Sequence, residues 1–413
     1  MTPPAPHRAT TAHLQALYPF VAEGGLGDRG VYVGRNLFGG AFVYDPWELY
    51  RAGALTNPNM LVLGQIGRGK SCFVKALLWR QQLFGRQAWV VDPKGEYGPL
   101  ARACGTCPLR LSPGGRVRLN PLESSPVPRG LAGREIVRRQ GELVCSLAAA
   151  SLGRPLLPRE RTAVELAVSS VSGRGPETTM PAVVEALLQP PPPSASAVYT
   201  DVPSLAADGR EVALELRRLV KGDLAGMFDG PTSKTVELGG RLVVLDLSAL
   251  YASPALGILM TCATAWLQAL LGRDDGIRRL VVVDEAWAIL NNLAVARWLR
   301  ASFKLSRAFG VANIAVVHRL SDLRVAGVGG SEERGLAEGL LADAETRVVF
   351  AQPPSEIEAA RDLLGLTTTE AELLPRLPRG VALWKVGSRS LLIEHRLGAH
   401  EAALVDTDTR MAR

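Results

Sequence analysis

Asn57-Pro58-Asn59-Met60-Leu61-Val62-Leu63-Gly64-Gln65-Ile66-Gly67-Arg68-Gly69-Lys70-Ser71 passes from a short apolar run of strand type into a glycine-rich turn. Residues 64–71 match G-x-x-x-x-G-K-S, with Gly64, Gly69, Lys70 and Ser71 in the fixed places of a P-loop. Cys72 to Trp79 follow with helical spacing. The layout serves one chemistry. Glycines let successive backbone N–H groups turn inward around an anion, and a helix that starts there adds its positive end. We therefore read Gly64, Gln65, Ile66, Gly67, Arg68, Gly69, Lys70, Ser71 and Cys72 as the cradle of a nucleoside triphosphate. Lys70 would reach the β- and γ-phosphates, and the Ser71 hydroxyl would ligate Mg²⁺. A flexible glycine loop is the bland alternative; a strand before it and a helix after it speak against that reading.

Composition frames the claim. The chain has 413 residues, 47% hydrophobic and 21% charged, enough for a sizeable core in one large or two ordinary domains. Its net charge of +7 is compatible with a polyanionic partner such as DNA, but the basic residues are scattered and form no long run. Five cysteines and the lack of a secretory signal lead us to expect a reducing cytoplasm. Cys104-Gly105-Thr106-Cys107 stands alone, without a second pair, and reads as two ordinary thiols; no structural metal is expected. Ala255 to Leu271 is the most apolar stretch. It is short for a membrane span and carries Thr, Gln and Cys, so it reads as a buried helix of a soluble chain.

Upstream of the loop, residues 30–34 and 40–44 read as a β-hairpin, followed by a short helix opened by Asp45-Pro46. Downstream, Ala88 to Asp92 is a buried-strand pattern ending in an acid, and Pro93-Lys94-Gly95-Glu96-Tyr97-Gly98 follows. If that strand neighbours the P-loop strand, Asp92 and Glu96 face the phosphates; otherwise they form a turn and a cap. Residues 123–239 change character: helical patterns over 134–152, 159–171 and 211–220 are split by Pro- and Gly-rich links such as Gln189 to Ser194. Strand–helix alternation resumes at Arg241. The expected division is a lead-in with a hairpin (1–56), a first core segment (57–122), a helical insertion (123–239), a second core segment (240–400) and a tail (401–413).

The second core segment carries a further nucleotide signature. Leu280-Val281-Val282-Val283 is followed by Asp284-Glu285, a pattern of Walker-B type. Asp284 would hold Mg²⁺ through water, and Glu285 would polarise the attacking water. Paired with the P-loop, this spells ATP hydrolysis. Asn313 to Val317 is a buried strand ending in His318-Arg319; if it lies beside both nucleotide strands, His318 can sense the γ-phosphate, and otherwise it satisfies loop carbonyls. Lys304 and Arg307, on the preceding helix, are candidates for a cation offered to a neighbouring subunit, with Arg307 first; a solvated helix face is their plain alternative. Residues 347–350, 380–386 and 391–395 read as closing strands, the last two as a hairpin.

The succession of Gly64–Ser71, Asp92-Pro93-Lys94-Gly95-Glu96-Tyr97, Leu119-Asn120-Pro121-Leu122, a helical insertion and Val283-Asp284-Glu285-Ala286-Trp287 resembles the FtsK–HerA superfamily of pumping ATPases. Within it the chain is most similar to the conjugation (type IV secretion) ATPase branch, especially its actinobacterial members built of the ATP-binding domain alone. The likeness spans roughly residues 30–400. It implies an α/β fold: a RecA-like P-loop NTPase core of the additional-strand class, with an inserted all-helical subdomain and a small N-terminal β-hairpin region. It also implies a homo-hexameric ring with ATP and Mg²⁺ at subunit interfaces. Such a ring would be recruited to a secretion or conjugation membrane complex at the inner face of the cell membrane, where it energises DNA or protein transfer. One departure stands out: the family's sensor strand commonly ends in Thr-Gln, where this chain has His318-Arg319. The alternatives are a HerA/FtsK-like duplex-DNA translocase and an ATP-bound assembly scaffold without turnover. Glu285 speaks against the scaffold, and the lack of a basic run weakens the translocase.

Overall fold

The structure, a computed structural model, describes residues 25–123, 133–172, 177–237, 239–253, 255–271, 276–286, 300, 303–304, 306–318, 339 and 343–406. Strands are β1 (Val31–Asn36), β2 (Ala41–Tyr44), β3 (Met60–Leu63), β4 (Gln87–Asp92), β5 (Leu109–Arg110) and β6 (Leu242–Asp246). They continue as β7 (Arg279–Val283), β8 (Val311–Val317), β9 (Thr346–Phe350), β10 (Val381–Val386) and β11 (Arg389–His395). Among the described residues they form one 11-stranded sheet in the order β2-β1-β11-β10-β9-β3-β8-β7-β4-β6-β5. From β9 to β5 every neighbouring pair is parallel; from β9 back to β2 every pair is antiparallel.

The parallel part is apolar on both faces, as a sheet covered on both sides requires. Alternate residues divide between two cores. Leu61, Leu63, Val91, Val283 and Val317 face one side, whereas Met60, Val62, Val90, Val282 and Val316 face the other. The second face is covered by α2 (Lys70–Gln81) and α3 (Gly98–Ala103), through Phe73, Val74, Leu77 and Leu100. They follow α1 (Pro46–Arg51) in the chain. The first face is covered by a run of helices: α4 (Gly133–Leu152), α5 (Pro158–Val171), α6 (Met180–Leu188), α7 (Pro192–Ser196), α8 (Val202–Lys221) and α9 (Leu256–Leu271). Among the described residues no helix is long and apolar enough to cross a membrane.

Strand order explains how two distant chain segments bring their nucleotide signatures together. β8 pairs with β3 and with β7, so the extra strand of the additional-strand class lies between them. The α/β P-loop NTPase fold expected from the sequence is the one observed. The same order decides one conditional reading: β4 borders β7 and β6, not β3. Three strand spacings, on the order of 14 Å, separate β4 from the P-loop strand. The Pro-rich link after Gln189 also differs, because α7 opens there with proline in its first turn, a place that needs no N–H donor.

The hairpin joins the sheet by pairing β1 with β11, and a buried ion pair ties its exit to the core. The Asp45 carboxylate accepts from Trp47 N at 2.9 Å and Glu48 N at 3.0 Å, capping α1, and its other oxygen meets Arg86. The Arg86 guanidinium lies 4.3 Å over the Trp47 ring. Both charged side chains are buried, Asp45 at 1% exposure. Removing one partner of such a pair leaves a lone buried charge, costing about 3–5 kcal/mol. Urea denaturation of Asp45→Ala is expected to show a loss of that size. The double variant Asp45→Ala, Arg86→Met should recover most of it, and equal losses in both would refute the coupling.

The described chain also includes α10 (Ser306–Phe309) just before β8, and α11 (Ile357–Leu364) and α12 (Thr368–Leu373), the last two connecting β9 to β10. It ends in α13 (Ala399–Val405), where Glu401 accepts from Arg80 of α2 at 2.7 and 2.6 Å. The tail expected after residue 400 thus begins as a helix held to the P-loop helix.

Candidate nucleotide site

The P-loop forms because its glycines take conformations closed to other residues. Gly64 has φ +155°, and a Cβ there would stand 2.5 Å from the Phe350 Cβ. Gly69, with φ +107°, precedes α2 as its N-cap. The loop is stitched to its neighbours: Gln65 N donates to Ala351 O at 2.9 Å, and Gly380 N donates to Arg68 O at 3.1 Å. Lys70 is buried, and its ammonium donates to the carbonyls of Gly64 and, at 3.2 Å, Gln65. Ser71 follows on the first turn of α2. Ile66, at the loop's outer bend, is 74% exposed.

Asp284 and Glu285 follow β7, and His318 follows β8. All three, with the P-loop, lie at the carboxyl ends of parallel strands, where open α/β sheets bind ligands. Asp284 is buried, its N–H donates to Val91 O at 3.2 Å, and its Oδ1 accepts from Glu285 N at 3.0 Å. Burial, reinforced by the Glu285 charge, raises the Asp284 pKa to about 6. A carboxylate so placed is suited to a cation that would offset the lost hydration, as Mg²⁺ does.

Glu285 holds the most constrained position. Its φ is +54°, a left-handed conformation that costs a non-glycine residue on the order of 1–3 kcal/mol. Its carboxylate is 2% exposed and receives two groups from the flanking strands. His318 Nε2 stands 2.8 Å from Oε1 and 2.7 Å from Oε2; because a carboxylate only accepts, Nε2 carries the proton. From the opposite side, the Lys94 ammonium meets Oε1. Burial opposes the Lys94 charge, but Glu285 outweighs it and holds that pKa above its ordinary value.

The structure resolves the two readings of the 92–97 segment. Asp92 accepts from the N–H groups of Lys94 (3.2 Å), Gly95 (2.9 Å) and Tyr97 (2.9 Å), so its carboxylate builds the turn. Burial, then the nearby Asp284 charge, raises its pKa to about 6 despite those donors. Glu96 lies 3.8 Å from Lys75, whose side chain is fully buried on α2 and sits 5.1 Å from the centre of the Tyr97 ring. Burial lowers the Lys75 pKa against the pull of Glu96, Asp92 and Asp284.

Sequence reasoning missed Lys75 and Lys94. The signal for Lys75 was a charge inside the otherwise apolar run Cys72–Trp79; Lys94 stood in a quoted loop between two acids that drew the reading. Lys304 is exposed, Arg307 lies on α10 but its side chain is outside the described residues, and Arg319 is outside them altogether.

Beside the first turn of α2 lies a cavity of about 310 Å³, lined among others by Cys72, Phe73, Arg80, Arg379, Gly380 and His395. His395 forms its floor as a neutral ring. It stacks 4.6 Å from Phe73, donates through Nδ1 to Gly380 O at 3.1 Å, and accepts from Trp384 Nε1 at 3.1 Å. Burial pushes its pKa down to about 3. The cavity is of a size for a base and ribose continuing from phosphates in the loop.

No protein-family model and no curated protein matches the chain. Solved structures do. VirB4 of Thermoanaerobacter pseudethanolicus aligns with a TM-score of 0.74 at 24% identity, over 92% of this chain and 99% of that one. The plasmid coupling protein TrwB, in complex with the non-hydrolysable ATP analogue ADPNP, aligns at 0.59 and 14% identity, over 93% and 92%. TrwB in complex with ADP and Mg²⁺ gives the same values. Over nearly its whole length the chain has the fold of VirB4 and TrwB.

Proposed function

We propose that this chain is a P-loop ATPase that energises conjugative DNA transfer or type IV secretion. One observation carries the reading: the P-loop of β3, His318 of β8 and Asp284-Glu285 of β7 end side by side on one edge of a sheet shared with VirB4 and TrwB. TrwB is known with an ATP analogue and with ADP and Mg²⁺, which supports the same ligands here. Lys70 and the loop amides from Gly64 to Cys72 hold the phosphates, and Ser71 with Asp284 would hold Mg²⁺, which would supply positive charge to the phosphate oxygens. Glu285 accepts a proton from water as the water oxygen bonds to the γ-phosphorus. The bond to the bridging oxygen breaks, giving ADP and phosphate. His318 keeps the Glu285 carboxylate aligned.

The working form in this reading is a homo-oligomer, a hexameric ring. ATP lies at its interfaces, Arg307 of a neighbour completes each site, and the ring is recruited to a membrane secretion complex at the inner face of the membrane. Mg²⁺-dependent phosphate release by the purified chain tests it. Turnover per chain should rise with protein concentration and vanish with EDTA. A rate per chain that stays constant across the assembly range would remove the neighbour's cation, and binding of ATP without any turnover would remove the motor.

A further inference from the structure

The Glu285 carboxylate in this structure is engaged at both oxygens. His318 spans both oxygens and the Lys94 ammonium covers Oε1. A cation held against a carboxylate lowers its basicity, so Glu285 becomes the better base for a water proton once the ammonium leaves. The two donors differ in freedom. His318 hangs on a short side chain at the end of β8, between the P-loop strand and β7. Lys94 has a long stem, its side chain is 26% exposed, and its ammonium lies 5.9 Å from the centre of the Tyr251 ring. Its backbone is fixed, because Asp92 holds the N–H groups of Lys94, Gly95 and Tyr97. The geometry is a flexible cation on a rigid post, resting on the residue whose basicity it lowers.

We propose that Lys94 is the residue by which this site tells ATP from ADP: its ammonium leaves Glu285 for the terminal phosphate of ATP, and Glu285 is freed to take up water. The γ-phosphate carries more charge than a carboxylate, so it outcompetes Glu285 for the ammonium, whereas ADP has no γ-phosphate and ends one position nearer its base. The inference rests on the ATPase reading. It adds a catalytic contact from β4, a strand not adjacent to the P-loop strand.

The test is a fluorescence titration of the purified full chain with mant-labelled ADP and mant-labelled AMPPNP in Mg²⁺, for wild type, Lys94→Met and Lys94→Arg. Wild type should prefer AMPPNP. Lys94→Met should lose at least tenfold of that preference with ADP affinity unchanged within about twofold, and Lys94→Arg should keep most of it. Glu285→Gln offers the reciprocal readout: a neutral partner competes less for Lys94, so the AMPPNP preference should grow several-fold. A lysine that only braces the fold would move both nucleotides alike or neither, and that outcome overturns the proposal. If Lys94→Met does not fold, Lys94→Gln is read by the same criteria. A wild type that binds both nucleotides equally overturns the proposal but leaves the ATPase reading standing; one that binds neither ends both.

Discussion

Glu285→Gln is expected to lower ATP turnover by about 10²–10⁴-fold, the usual contribution of a positioned general base, while nucleotide binding is retained. The amide is nearly isosteric, and the changes around it are few. Glu285 N still donates to Asp284, so that carboxylate keeps its orientation. The amide oxygen can still accept from His318 Nε2 or from Lys94. What is lost is the ability to take a proton from water. The backbone at φ +54° is also tolerated by a side chain of equal length, so the fold should be little affected. Single-turnover phosphate release beside equilibrium binding separates the two effects. A variant that hydrolyses ATP within a few-fold of wild type would move the base elsewhere, and a variant that fails to bind would make Glu285 a structural residue.

How much of this could be read from the chain depends on whether the information is local. The strand–loop–helix around Gly64 to Ser71 is spelled by adjacent residues, and so is the apolar run into Asp284-Glu285. The alternation of apolar strand-like runs with helical patterns is local for the same reason, and the family resemblance implies the rest of the fold class. Strand order is not local. Nothing in Ala88 to Asp92 says that β7 and β8 stand between it and the P-loop strand, so the facing of Asp92 and Glu96 stayed conditional until the sheet was known. The Lys94–Glu285–His318 cluster is the clearest case. Its members come from the ends of three strands; Glu285 and His318 each stand out at the end of their own strand, but nothing local says that His318 and Lys94 converge on Glu285. Lys75 is a milder one: its position in an apolar helix was visible, but the acids that neutralise it come from β4 and β7.

Lys70→Ala is expected to abolish turnover and to weaken nucleotide binding by about 100-fold or more. Hydrogen bonds to charged groups contribute about 1.5–3 kcal/mol each, and tenfold in affinity corresponds to about 1.4 kcal/mol. Loss of the ammonium from two phosphates therefore reaches that size. Lys70 lies on the first turn of α2, where alanine is a good helix former, and its present contacts are carbonyls of the loop itself, Gly64 and Gln65. The variant should fold, with the loop less tightly closed. Thermal unfolding with and without Mg²⁺-ATP separates folding from binding. At a ligand concentration 100 times Kd, wild type should gain about 2.7 kcal/mol of stability, and the variant at the same concentration almost none. If the variant gained as much as wild type, the phosphates would not be sitting in this loop, and the cavity beside Cys72 and Arg379 would have to be read as a site for something other than the base of ATP.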